Sequence, residues 1–263
     1  MLIIAGSDSG GGAGIQADIK AVTALGSYAA TAITALTAQN TQGVFGVVEV
    51  APAFIAQQMR LVLDDIGADC IKTGMLHNST VIETVVEVLQ TSASSVPLVV
   101  DPVMFAKGGE PLLEEVARKT LVQQLLPRAT LLTPNLPEAE ALSGMTLRDA
   151  DALQPAAYRL LEQGPAAVLL KGGHLPGDSV VDLLVSREGV TRFTHPRLAT
   201  TNTHGTGCTL ASAIAAGLAQ GLSLNTAVER ALAYVQQAIQ TAPGLGKGRG
   251  PLNHGHTVRP FEL

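Results

Sequence analysis

The sequence predicts an α/β fold, a mainly parallel central sheet with helices on both faces, from three observations. Short apolar runs alternate with helix-period segments, polar residues stand after successive runs, and 46% of the 263 residues are hydrophobic with no linker composition between them. A chain of this length buries one large core, so a single domain over residues 1–263 is expected. The elements follow in order. An apolar run at 2–5 ends in Gly6-Ser7-Asp8 and leads to a helical pattern at 15–25. The pair recurs at 69–72 with 80–89, at 98–100 with 111–126, and at 130–133 with 138–142. A helix at 150–163 then precedes a run at 167–170. Two segments break the rhythm. Residues 44–50, and the pair 180–185 and 190–194 around Glu188-Gly189, predict edge or hairpin strands. The 44–50 edge is a candidate lid or interface, because an exposed strand edge invites pairing. Helices at 210–219 and 224–240 complete the pattern.

Charge and cysteine usage narrow the partners. With 17 Lys+Arg against 22 Asp+Glu, the formal charge of −5 excludes the dense basic surface that nucleic acid requires, and small ligands fit better. Cys70 and Cys208 lie far apart with no C-x-x-C spacing, which predicts neither a disulfide framework nor a thiolate zinc site and points to the reduced cytoplasm. The chain enters an apolar strand at once and never reaches the ~18 apolar residues of a membrane span, so a soluble protein without membrane contact is expected.

Residues after parallel strands converge on the crevice where such sheets bind ligands. Here these are Gly6-Ser7-Asp8, Lys72-Thr73-Gly74, Asp101-Pro102, Asn135 through Glu138, and Lys171-Gly172-Gly173-His174. Thr203-His204-Gly205-Thr206-Gly207-Cys208-Thr209 reads as a glycine loop opening a helix, whose unpaired N–H groups and dipole suit a phosphate. Cys208 in the first turn is either a weak base whose thiolate is favoured there or an inert packing residue. Gly6 through Gly14 lacks a Gly-Lys-Ser/Thr ending; 12–17 matches G-x-G-x-x-A, but too far from the strand and without an acidic ribose partner. Asp18, in the following helix, is either a site carboxylate or a dipole partner. Asn135 and Glu138, three residues apart at a strand-to-helix junction, suit magnesium or form a reciprocal helix cap. His254 and His256 stand close in a glycine-rich stretch without a third ligand in sequence, so a metal site is not expected there.

In this order these motifs, with Gly14-Ile15-Gln16-Ala17-Asp18, Ala38-Gln39-Asn40-Thr41 and Gly74-Met75 added, resemble the hydroxymethylpyrimidine and phosphomethylpyrimidine kinases of thiamine biosynthesis, within the ribokinase-like superfamily. The resemblance spans nearly the whole chain. It implies a three-layer αβα sandwich, ATP and Mg2+ as cosubstrate and metal, and a homodimer. It also implies a pyrimidine pocket lined by Asp18, Gln39, Met75, Gly6 and Val103, with the Met75 thioether covering a ring face, which suits a chain with 3% aromatic residues. By the same resemblance Asp101, Asn135, Thr206 and Lys171 bind the triphosphate, Glu138 and Asp101 organise the metal, and Gly205 through Cys208 form the anion hole, with Cys208, Lys171, Gly205 and Gly207 catalytic. Most of the superfamily places an aspartate where Cys208 stands; hydroxymethylpyrimidine kinases and a set of pyridoxal kinases share the cysteine. Gln39 favours the pyrimidine. Pyridoxal kinase activity is the alternative, a non-catalytic pyrimidine or nucleotide binder a weaker one, and a dinucleotide oxidoreductase rests on the isolated glycine match alone.

Overall fold

The computed structural model describes residues 1–259 except positions 107 and 110; those two and the last four positions of the expected domain lie outside the described residues. Its elements are β1 Leu2–Asp8, α1 Gly14–Ala24, β2 Ala30–Asn40, β3 Gly43–Glu49, α2 Pro52–Asp65, β4 Ile71–Thr73, α3 Ser79–Ser92, β5 Leu98–Val100, α4 Glu115–Thr120, β6 Leu131–Leu132, α5 Leu136–Ser143, α6 Leu153–Leu161, β7 Ala167–Leu170, β8 Ser179–Ser186, β9 Gly189–Pro196, α7 Thr206–Ala219 and α8 Leu224–Gln240. One nine-stranded sheet runs in the order β3-β2-β1-β4-β5-β6-β7-β8-β9. Strands β2, β1, β4, β5, β6 and β7 are mutually parallel, while β3 at one edge and the β8–β9 hairpin at the other are antiparallel.

Strand geometry divides the core in two, because successive side chains point to opposite faces. Leu2 and Ile4 enter one layer with Ile55, Met59, Val85 and Leu160, beneath α2 to α6. Ile3 and Ala5 enter the other with Val22, Leu210, Ile214 and Val228, beneath α1, α7 and α8. Val99 faces opposite to Leu98 and Val100, and Leu169 opposite to Val168 and Leu170. Central strands are therefore apolar on both faces, which explains their uninterrupted hydrophobic runs.

The 44–50 edge and the 180–194 hairpin form as strands. β2 and α2 were not anticipated. β2 is mostly Ala and Thr, with Ile33 and Leu36 supplying its large apolar side chains, and α2 carries exposed Phe54 and Leu61 among its buried Ile55 and Met59, which blurs its periodicity. The single helix expected at 111–126 is shorter and irregular. It starts at Glu115, passes into a π-turn at Leu121–Leu125 and ends in a 3₁₀ turn containing Pro127, whose ring cannot continue an α-helix.

Candidate active site

Because the central strands run the same way, their C-terminal ends meet at one edge. Main-chain bonds tie the exits together: Gly74 N to Ile4 O at 2.9 Å, Asp101 N to Thr73 O at 3.0 Å, Thr133 N to Val100 O at 3.0 Å and Lys171 N to Pro134 O at 2.9 Å. Lys171 then reaches back to Asp101, Nζ to Oδ1 3.2 Å, and the same oxygen accepts from Thr133 Oγ1 at 3.1 Å. Burial disfavours the Lys171 ammonium, yet Asp101 and Glu138 outweigh it and raise its pKa, so it stays charged.

Helix α7 opens against this pair. Its N-cap, Gly205, adopts φ 79°, and a Cβ there would overlap the Gly12 carbonyl oxygen. Only glycine allows the two loops to touch in this way. Thr206 Oγ1 donates to Thr203 O at 2.8 Å, which fixes the turn. A Cβ on Gly207 would stand 3.3 Å from Lys171 Nζ and 3.7 Å from Asp101 Oδ2. Gly205, Thr206, Gly207, Cys208, Lys171 and Asp101 thus form one group at a helix N-terminus, an anion site with a fixed cation beside it.

Asn135 and Glu138 make the reciprocal cap of α5: Asn135 Oδ1 accepts from Glu138 N at 3.0 Å and Glu138 Oε2 from Asn135 N at 2.9 Å. Glu138 is also a buried member of the charged group. Burial, opposed by Lys171 and reinforced by Asp101, pushes its carboxyl from 4.5 up to about 7. A carboxyl whose folded pKa is raised contributes stability that is complete below pH 4.5 and lost as pH rises through about 7. Glu138→Gln is expected to flatten the decline in urea stability of the ligand-free protein across that window; an unaltered decline would overturn the assignment. Asp101 and Glu138 fit magnesium in the way it is usually held, through one or two carboxylates plus substrate phosphates rather than an all-protein cage.

On the other side of the cleft, Gly6 ends the regular part of β1, and a Cβ there would lie 3.2 Å from Met75 Sδ. Met75 is buried and its carbonyl accepts from Thr34 Oγ1 at 2.6 Å. Gln39 stands at a β-bulge, its main chain exchanging two 2.9 Å bonds with Ser9 Oγ. Val103 is partly exposed and borders a small cavity with Thr73, Gly74, Asp101 and Leu113.

Two sequence expectations change. Asp18 does not line the cleft: it is 0% exposed, its oxygens 2.9 and 3.0 Å from Lys72 Nζ, with Ser212 Oγ donating to Oδ1 at 2.7 Å. It lies beneath the site, joining α1, β4 and α7. Cys208 does not have a favoured thiolate in the ligand-free protein. Desolvation, opposed by Lys72 but reinforced by Asp18 and Asp101, pushes its thiol up to about 12 although the residue is partly exposed. Two nearby carboxylates and burial outweigh the helix terminus.

Asp8, Lys72 and His204 were named from the sequence within motifs at the cleft but given no role of their own, and Ser212 was not named. Lys72 had a signal: it is the middle residue of the short strand Ile71–Thr73, buried on both faces, and a buried ammonium needs a carboxylate.

A family model described as phosphomethylpyrimidine kinase matches residues 8–253, a stretch holding the first glycine loop from Asp8 onward, the whole of the second, Lys171 and Cys208. The chain belongs to the phosphomethylpyrimidine kinase family. It is a phosphotransferase. The thiamine biosynthesis bifunctional protein ThiED of Geobacter sulfurreducens is 51% identical over 254 residues, covering 97% of this chain and 52% of that protein, so the chain spans about half of that relative. The hydroxymethylpyrimidine/phosphomethylpyrimidine kinase of Streptomyces coelicolor is 48% identical over 97% of this chain and 94% of its own length. Among solved structures, a Bacillus subtilis pyridoxal kinase in an ADP complex superposes with TM-score 0.90 at 36% identity, covering 97% of this chain and 96% of that one. Phosphomethylpyrimidine kinases and this pyridoxal kinase thus share the fold, while sequence identity is higher to the former.

Proposed function

We propose that this protein, as one kinase domain, transfers the terminal phosphoryl group of ATP to the hydroxymethyl oxygen of the thiamine pyrimidine precursor and then to the monophosphate so formed. The observation that carries it is the Lys171–Asp101 pair set against the N-terminus of α7, facing the Gly6–Met75 side of the cleft. Phosphoryl transfer depends mainly on positioning and charge stabilisation. Lys171 neutralises phosphate charge, N–H groups of the 205–208 turn donate to the oxygens of the transferring group, and Gln39, Met75, Gly6 and Val103 shape the ring pocket. Asn135 and Thr206 flank the triphosphate. Magnesium, held by Asp101 and Glu138, would supply further neutralisation of phosphate charge.

In this reading Cys208 takes the alcohol proton. The two transfers differ here, because an alcohol must lose a proton whereas a phosphate oxygen is mostly ionised at neutral pH. Cys208→Ala is expected to slow the first transfer by about 10²-fold or more and the second far less. Equal losses in both would leave Cys208 a packing residue. ADP release with magnesium and ATP, offered hydroxymethylpyrimidine, its monophosphate and pyridoxal separately, tests the substrate: turnover of the first two supports the proposal, and turnover of pyridoxal alone replaces the substrate and keeps the site.

We also infer a cytoplasmic homodimer. Both cysteines are free thiols. Phe45 and Val48 on the β3 edge and Phe54 and Leu61 on α2 are 55–71% exposed, and a second copy would cover them. Sedimentation equilibrium reports the outcome; a monomer at micromolar concentration removes this inference. No helix among the described residues is long and apolar enough to cross a membrane.

A further inference from the structure

Asp8, the last residue of β1, is buried and carries four hydrogen bonds on one carboxylate. Oδ1 accepts from Gly10 N at 2.7 Å; Oδ2 accepts from Gly12 N at 3.1 Å, Ala13 N at 2.7 Å and His204 Nε2 at 2.8 Å. The backbone contacts alone would suffice to shape the glycine loop. The imidazole adds something the loop does not need for itself, a link to the residue immediately before Gly205. His204 is anchored in turn: its main-chain N–H donates to Gly250 O at 3.0 Å, and its ring lies where a Cβ on Gly12 would be. The stretch leading to Gly250 is fastened to the end of β2, with Arg249 N donating to Thr41 O at 2.8 Å and Gly248 N to Thr41 Oγ1 at 3.2 Å. His204 is therefore the node where the β1 loop, the tip of β2 and the C-terminal glycine-rich stretch meet the start of α7.

We infer that Asp8 and His204 are positioning residues, a clamp that sets the distance between the substrate side of the cleft and the anion hole at Gly205 to Cys208. The inference rests on the kinase function proposed above. Neither residue is placed to touch the reacting atoms. The clamp joins the loop beside Met75 to the turn beside Lys171, and a misplacement of about 1 Å between reacting groups lowers a rate by roughly 10²-fold. Burial opposes ionisation of Asp8, but its bonds to His204, Ala13 and Gly10 prevail and lower its pKa, so the carboxylate form holds the clamp.

The test compares wild type, His204→Ala, His204→Gln and Asp8→Asn. His204→Ala is expected to lower kcat by roughly 10- to 100-fold while leaving KM for ATP and for the pyrimidine within about threefold, because each half of the cleft keeps its own binding groups and only their separation changes. His204→Gln, whose amide N–H still reaches Asp8, should recover most of that loss. A wild-type kcat in His204→Ala, a rise in KM alone, or a His204→Gln variant as impaired as His204→Ala would each overturn the clamp. Amide hydrogen exchange reads the clamp without turnover: His204→Ala should speed exchange at residues 10–13 and 205–208 together, and protection unchanged at both overturns it. Asp8→Asn makes the same exchange measurement from the other side should His204→Ala fail to fold. A wild-type enzyme inactive on every substrate counts against the proposed function only, since the exchange result still decides the clamp.

Discussion

Lys72→Met is expected to destabilise the protein by about 3–5 kcal/mol, the usual consequence of removing one partner from a buried ion pair. Lys72 and Asp18 are both 0% exposed, 2.9 Å apart, and among the described residues the other hydrogen bond to the Asp18 carboxylate comes from Ser212. Without the ammonium, the carboxylate must ionise in the core unaided or take up a proton. Burial already raises the Asp18 carboxyl, and loss of Lys72 removes the largest opposing influence. A raised carboxyl stabilises the fold at low pH and ceases to do so as pH rises through its folded value, so the deficit of Lys72→Met should be smaller near pH 4 than near pH 8. Adding Asp18→Asn to the same chain removes the stranded charge and should restore part of the loss. Urea titrations at both pH values measure this; a Lys72→Met protein within about 1 kcal/mol of wild type at pH 8 would show that water, not Lys72, satisfies Asp18.

Gly205→Ala is expected to have the largest effect on turnover, a fall in kcat on the order of 10²–10³-fold. The left-handed conformation alone costs an alanine about 1–2 kcal/mol. The larger difficulty is steric, since the new methyl group would overlap the Gly12 carbonyl, which belongs to backbone and cannot rotate aside. The loops must separate, and the N–H groups at the start of α7 leave the position beside Lys171. Steady-state kinetics with the pyrimidine substrate checks this against thermal unfolding; kcat within twofold of wild type would mean that the transferring phosphoryl group does not rest on this turn.

The layered architecture was legible because strands such as Leu98–Val100 and Ala167–Leu170 are buried on both faces and so read as apolar runs closed by polar residues. The anion site was legible for a similar local reason: Gly205 through Cys208 are contiguous, and their chemistry follows from a loop entering a helix. Asn135 and Glu138 were legible as a pair but open in role; the structure shows the cap, with Glu138 also in the charged group. What stayed hidden was long-range. Nothing near Asp18 announces a lysine 54 positions away or a serine 194 positions away, and those partners turn a candidate pocket carboxylate into a buried support. The titration of Cys208 was left open for the same reason: its position in a helix is local, while the burial that raises its pKa, and the Asp18 and Asp101 carboxylates that add to it, come from the assembled fold. β2 was missed because small Ala and Thr side chains carry little hydrophobic signal, even in a strand paired on both sides.

The separations in sequence within the site also bear on how the molecule comes into being. Asp8 and His204 are 196 positions apart, and Asp18 and Ser212 are 194 apart. A chain emerging from the ribosome can lay down β1, α1 and β4 early, but Asp18 and Lys72 then await the helix that roofs them, and the glycine loop awaits its histidine. Closing so long a loop is entropically unfavourable until the intervening layers have docked. Catalytic competence is therefore a late event in biosynthesis, reached only once the C-terminal quarter has been made, and a product that stops before α7 has no phosphoryl site.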